Sequence, residues 1–198
     1  YNFSSDRSGE VIWRELARKI TSSFPLNLLL GGSPDFNDLC NTIDKICKKF
    51  KEHIEDNGLW EALYDDNKTP RHERISQKLF YSVADNYCEA NNIDLSPESN
   101  AGCGPVDFKL SRGANQKVVV EVKLSHNKKL LHGFETQVEL YKKSERAQKA
   151  YYLVIQVTKS EASIERLFKL KNEIAATGKT TPEIILIDGL PKESASRR

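Results

Sequence analysis

Apolar residues at helical spacing run through the first third of the chain. Val11, Ile12, Leu16 and Ile20 predict a helix over residues 9–24, and Gly31-Gly-Ser-Pro34 predicts a break after it. Phe36, Leu39, Ile43, Ile46, Phe50 and Ile54 then recur every three or four residues. They predict an amphipathic helix from about 35 to 56, ended by Asn57-Gly58. Leu59, Trp60, Leu63 and Tyr64 predict one further helical turn, and Asp65-Asp-Asn-Lys-Thr-Pro70 reads as a connector. Residues 1–66 are therefore expected to form a helical N-terminal region distinct from the rest of the chain.

Beyond Pro70 the pattern changes. Ile75, Leu79, Val83 and Tyr87 place a third helix at about 71–91, with Pro70 positioned to precede or open it. Ile93-Asp-Leu-Ser96 predicts a short strand. Gly104–Leu110 and Lys117–Leu124 come next, joined by the turn-rich Ser111-Arg-Gly-Ala-Asn-Gln116, so the pair reads as a hairpin. A helix is expected over 130–147. The continuous apolar run 151–157 predicts a central strand, 160–176 another helix and 183–188 a last strand. The tail from Pro191 is polar and is expected to fray. The order from residue 70 is thus helix, three strands, helix, strand, helix, strand. That is an α/β arrangement, a mixed sheet flanked by helices.

Composition narrows the class. The 198 residues are 38% hydrophobic and 29% charged, an ordinary globular balance. The longest apolar run, Pro25–Leu30, is far below the roughly 20 residues of a membrane span. The start lacks a signal pattern, and it lacks an initiator Met, so a fragment of a longer protein is expected. A net charge of +2 says little about nucleic acid. Cys40, Cys47, Cys88 and Cys103 include no Cys-x-x-Cys pair. They read as reduced thiols of a cytoplasmic protein.

The chemistry concentrates on the hairpin. Glu121 and Lys123 are two apart on a strand, so both point to one face, while Val122 points to the other. A strand that also buries Val118, Val119 and Val120 sits inside a sheet, where unpaired charge is costly. If the hairpin centres near Ala114, Asp107 faces Glu121 across the ladder, with side chains about 5 Å apart. Two carboxylates that close repel unless a cation separates them. Mg²⁺ or Mn²⁺ does this well, and Lys123 does it more modestly.

Gly104-Pro-Val-Asp107 followed by Glu121-Val-Lys123 resembles the signature of the PD-(D/E)xK nuclease superfamily, as does the element order from residue 70. Glu73, opening the helix before the strands, stands where many members carry a further acidic ligand. Gln137-Val-Glu-Leu-Tyr141 resembles the Q-x-x-x-Y motif of RecB-like members. The strict Pro-Asp dipeptide is absent, because Val106 intervenes. The likeness covers about residues 70–160 and implies a restriction-endonuclease-like fold, with residues 67–198 as the nuclease domain. It implies that Asp107 and Glu121 coordinate Mg²⁺, with Mn²⁺ as a substitute, helped by the Val122 carbonyl and Glu73. Lys123 would orient the attacking water. Gln137 and Tyr141 would brace the site or touch the DNA backbone.

The loop Lys123-Leu-Ser-His-Asn-Lys-Lys, then Gly133-Phe-x-x-Gln137, is similar to nucleases of prokaryotic antiviral or restriction systems. The expected function is therefore Mg²⁺-dependent endonucleolytic cleavage of DNA, in a homodimer or joined to further domains. Lys128, Lys129 and Arg112 are the expected phosphate contacts, with Lys117, Lys142, Lys143 and Arg146 extending the basic character. His126 and His132 lack metal-ligand spacing. Trp13 and Trp60 read as packing residues rather than base-stacking ones. The plainer readings are a polar patch at Asp107 and Glu121 satisfied by Lys123 and Lys109, a first-turn acid at Glu73, and ordinary helix residues at Gln137 and Tyr141. The alternative function is a catalytically silent nucleic-acid-binding or assembly module.

Overall fold

Helix α1, Phe36–Glu55, begins where the sequence supplies a reciprocal cap. The Asp35 carboxylate accepts from the Asp38 N–H and the Asp38 carboxylate from the Asp35 N–H, each at 2.9 Å. Two donors that the helix cannot satisfy internally are thereby paired. Of the predicted stripe, Leu39, Ile43, Ile46, Phe50 and Ile54 are fully buried and Phe36 is partly so. The structure, a computed structural model, describes residues 35–99, 106–137, 143 and 145–192. The helix expected at 9–24, the break at 31–34, Trp13, Cys103 and the tail beyond 192 lie outside the described residues.

A 3₁₀ turn, Leu59–Leu63, succeeds Gly58, whose φ of 80° suits a residue without a Cβ. Trp60 packs edge-on to Tyr64, ring centroids 6.3 Å apart, against the core. Helix α2, Glu73–Ala90, buries Ser76, Phe80, Ala84, Tyr87 and Cys88. This corrects the expected stripe, since Ile75, Leu79 and Val83 are only partly buried. The reason is that α2 packs against two neighbours at once. Phe80 meets Phe50 of α1 edge-on at 5.3 Å and Phe108 of the sheet at 5.0 Å.

Five strands form one mixed sheet in sequential order. They are β1 (Asp94–Ser99), β2 (Val106–Arg112), β3 (Gln116–Leu124), β4 (Lys149–Gln156) and β5 (Glu183–Asp188). The first three pair antiparallel, while β3–β4 and β4–β5 pair parallel. The β2–β3 register sets Phe108 opposite Val120 and Arg112 opposite Gln116, which centres the hairpin on residue 114 as its sequence predicts. Gly113 supplies the left-handed turn conformation at φ 66°. Strand β1 runs past the expected Ser96 to Ser99, through Pro97. An edge strand tolerates proline because the missing N–H costs no pairing on its outer side.

Alternation along β3 builds two cores. Val118, Val120, Val122 and Leu124 face α1 and α2. Val119 faces the other layer with Tyr152, Val154, Leu130, Phe134 and Leu167, the last from helix α3, Ala162–Ala176. The first core crosses the boundary expected at residue 66, because α1 residues and sheet residues fill one cluster. The helix expected over 130–147 is helical from Leu130 to Gln137 and again at Lys143 and Glu145 among the described residues, though it is not α-helical throughout. Leu130–His132 make a short helical turn that widens into a π-type turn over Gly133–Gln137. Gly133 weakens helix formation there.

The fold is therefore α/β, a five-stranded mixed sheet between helices, with a helix N-terminal to it. Among the described residues no helix is long and apolar enough to cross a membrane. Gly189 shows how tightly the end of β5 closes. A Cβ there would lie 2.7 Å from Ile155 Cγ2 and 2.8 Å from Leu63 Cδ1. Gly189→Ala is expected to lower the unfolding free energy by about 1–3 kcal/mol in urea melts. Unchanged stability would show that these neighbours yield freely.

Candidate active site

Strand β2 starts at Val106, while β3 runs on to Leu124. The last ladder pair towards β2 is Phe108 with Val120. Beyond it, the β2-facing N–H groups of Val122 and Leu124 need other partners. Two carboxylates supply them. Asp107 Oδ2 accepts from Val122 N–H at 2.8 Å, and Glu73 Oε2 accepts from Leu124 N–H at 3.0 Å. The acids at this end of the sheet thus complete the edge of the central strand.

Glu121 and Lys123 project from the same stretch, on the face that also carries Val119. Lys123 Nζ lies 2.6 Å from Glu121 Oε1, 3.2 Å from Glu73 Oε1 and 3.7 Å from Asp107 Oδ2. Glu121 Oε2 accepts from the Asp107 N–H at 3.3 Å. All four side chains are largely buried, Glu121 most, at 4% exposure. One ammonium stands among three carboxylates, which leaves a formal excess of two negative charges when all are ionised.

That excess appears in the titration of the group. Burial raises the Asp107 pKa, and Glu73 adds to the effect against the pull of Lys123. Burial, then the neighbouring Asp107, push Glu121 up to about 7. Burial opposes the charge on Lys123, but Asp107, Glu121 and Glu73 together hold its pKa above the ordinary lysine value. Tyr152, opposite Glu121 on β4, helps to wall the site. Its hydroxyl donates to the Leu130 carbonyl at 2.7 Å and its ring packs edge-on against Phe134.

Asp107, Glu121, Lys123 and Glu73, expected together from the sequence, are brought together. Glu73 is more than a first-turn acid, because it accepts from β3 and from the loop after it. The Val122 N–H donates into the site, and in an extended strand the carbonyl of the same residue points to the same side. Lys109 does not neutralise the acids. It turns towards Glu145, at 3.9 Å. Arg112 is not placed at the site either. It ends β2 at the hairpin, five residues or about 16 Å along the strand from Asp107, and its Nη2 donates to the Asn91 carbonyl at 3.1 Å. Lys128 and Lys129 are exposed on the loop after β3. His126 and His132 lie outside the cluster. Tyr141 and the side chain of Gln137 lie outside the described residues.

Two polar residues carry no family signature and still join the site. Gln77 donates to Asp107 Oδ1 at 2.8 Å, and Asn127 donates to Glu73 Oε2 at 2.7 Å. Gln77 stands one helical turn after Glu73, a spacing that could have flagged it. Asn127 gives no comparable signal, because its loop conformation decides its reach. Its own Oδ1 accepts from Lys129 N–H at 2.9 Å, which ties the basic loop to the acidic cluster.

The donor set is all oxygen, hard and in negative excess, which fits a divalent cation of the Mg²⁺ type. Among the described residues no three acidic, His or Cys side chains form a ready-made metal cage. Lys123 Nζ stands at the point where the carboxylates converge. A metal held by Asp107 and Glu121 therefore requires that ammonium to move aside.

A family model described as "Domain of unknown function (DUF8371)" matches residues 39–159, more than half of the chain. The match runs from α1 to the loop after β4 and includes the whole cluster. No curated protein and no solved structure matches the chain.

Proposed function

The chain belongs to the DUF8371 family, and we propose that it is a Mg²⁺-dependent nuclease on a restriction-endonuclease-like fold, hydrolysing phosphodiester bonds in DNA. The single observation that carries this reading is the cluster itself. Asp107, Glu121 and Glu73 surround Lys123, three acids to one base, at the end of a hairpin whose sequence resembles the PD-(D/E)xK signature. Structural ion pairs are commonly balanced, because surplus buried charge is costly. A surplus at a site calls for a cationic partner or substrate.

Asp107 and Glu121 would hold the metal, with the Val122 carbonyl on the same strand edge and Glu73 beside it. A bound Mg²⁺ supplies a Lewis acid that offsets charge on the phosphate and lowers the pKa of water. Gln77 and Asn127 keep Asp107 and Glu73 in position. Lys123, once displaced from the carboxylates, offers its ammonium to the attacking water or to a phosphate oxygen. Lys128 and Lys129 lie on the adjoining loop, where a phosphate backbone would pass. An endonuclease effector of a prokaryotic antiviral or restriction system, acting as a homodimer or joined to further domains, is the biological setting that fits these parts.

One observation favours a second reading. Lys123 contacts all three carboxylates, so the cluster is also a closed ion-pair network without catalysis. Incubating the chain with circular and linear plasmid, single-stranded DNA and RNA, under Mg²⁺, Mn²⁺ or EDTA, separates the two. Cleavage that needs the metal supports the nuclease. No cleavage, together with no calorimetric binding of Mn²⁺, leaves the closed network.

A further inference from the structure

An open cleft of about 710 Å³ runs from the outer flank of α2 to the start of β2 and ends on Asp107. Its size lies in the usual range of small-ligand sites, about 300–1,000 Å³. Arg74, Gln77, Lys78 and Tyr81 line one side, and Pro97 and Phe108 line the other. Arg74, Lys78 and Tyr81 succeed one another at helical spacing along a single flank of α2. Glu98, at the lip, bends the edge strand by entering the left-handed region at φ 50°. The residues on either side of it, Pro97 and Ser99, stay in register with Phe108 and Val106.

The lining combines a stacking surface with cations. Tyr81 is one of two large hydrophobic side chains left exposed among the described residues, at 36%. Lys78 has no ion-pair partner among the described residues. Arg74 faces Glu98 at 4.0 Å, an exposed pair that a phosphate can replace at little cost. An aromatic ring beside two cations is the arrangement that binds a base and its phosphate without reading sequence. A base inside a duplex has both faces covered, so it cannot stack on Tyr81 until it leaves the helix.

We infer that this cleft holds one unpaired nucleotide of a single-stranded nucleic acid, its base against Tyr81 and Pro97 and its phosphate against Arg74 and Lys78. The adjoining phosphodiester then lies beside Asp107, the residue by which the cleft meets the acidic cluster. This substrate class rests on the nuclease reading for its chemistry, but the cleft can be tested without cleavage.

The test is fluorescence anisotropy of the full chain in EDTA, with a short labelled oligothymidylate, free or annealed to its complement. The single strand is expected to bind at least about tenfold more tightly than the duplex. Tyr81→Ala is expected to weaken single-strand binding about tenfold, while Tyr81→Phe retains it. Alanine is a strong helix former and Tyr81 is exposed, so the helix tolerates the change. Lys78→Ala should lower the salt dependence by about one phosphate contact. Equal affinity for both forms, or wild-type affinity in Tyr81→Ala, overturns the inference. If the wild type binds through Tyr81 yet never cleaves with Mg²⁺ or Mn²⁺, the cleft stands and the nuclease reading falls. If Asp107→Asn abolishes cleavage while Tyr81→Ala changes neither affinity nor KM, the cleft falls and the nuclease reading stands.

Discussion

Asp107→Asn is expected to lower metal-dependent cleavage by about 10³-fold while leaving the protein folded. A metal at such a site supplies several kcal/mol of charge stabilisation, and each 1.36 kcal/mol corresponds to about tenfold in rate. Asparagine keeps an oxygen that can accept from the Val122 N–H, which Asp107 Oδ2 now accepts at 2.8 Å. The strand edge therefore stays paired while the charge is lost. Alanine would remove both and would confuse a folding defect with a chemical one. The measurement is single-turnover cleavage of a labelled DNA in Mg²⁺, with circular dichroism melts of both proteins. Cleavage within a few-fold of wild type would place the metal elsewhere or remove it from the reaction.

Lys123→Ala is expected to produce the largest change in stability. It leaves Asp107, Glu121 and Glu73 buried around a space with no cation. Removing one partner of a buried ionic group typically costs about 3–5 kcal/mol. The sign of the pH dependence comes from the raised carboxyl pKa values. Glu121 sits at about 7 even with Lys123 present, whereas an unfolded glutamate titrates near about 4.3. A group raised in this way contributes stability that is full below the unfolded value and is lost as pH rises through the folded one. The variant should therefore be least stable, relative to wild type, above neutrality, and should recover as the solution is acidified towards about pH 5. Mn²⁺ or Mg²⁺ should also restore its melting temperature, by occupying the centre that the ammonium has vacated. Loss of stability that neither acid nor divalent cations repair would identify the cluster as an ion-pair network specific for lysine.

Much of this was legible in the sequence. The hairpin register came from turn residues on either side of Ala114, and it places Asp107 level with Glu121. The element order came from the change of period at residue 70. Other features depend on tertiary context. The period of α2 points to Ile75 and Leu79, but Phe80 lies deeper because both α1 and the sheet press on that helix. The core shared by α1 and the sheet could not be read from Leu39 or Phe50, since a stripe shows that a face is buried and not against what. The residues alone leave Lys123 two places, serving the reaction beside the acids or standing between them as their cation. Its seat at their centre is a matter of side-chain conformation. Arg112 looked like a phosphate contact by charge alone, until the Asn91 carbonyl drew it inward.

The carboxylates that complete the edge of β3 also connect the site to the motions of the sheet. Val122 and Leu124 hold their amide protons through Asp107 and Glu73, from elements 15 and 51 residues away in sequence. Those two protons can exchange with solvent whenever a carboxylate turns away, without opening the sheet as a whole. Amide exchange at these positions is thus a local clock for the acids. A cation that draws Asp107 towards itself should quicken exchange at Val122, while protection at Val118 and Val120 stays at the level of the core.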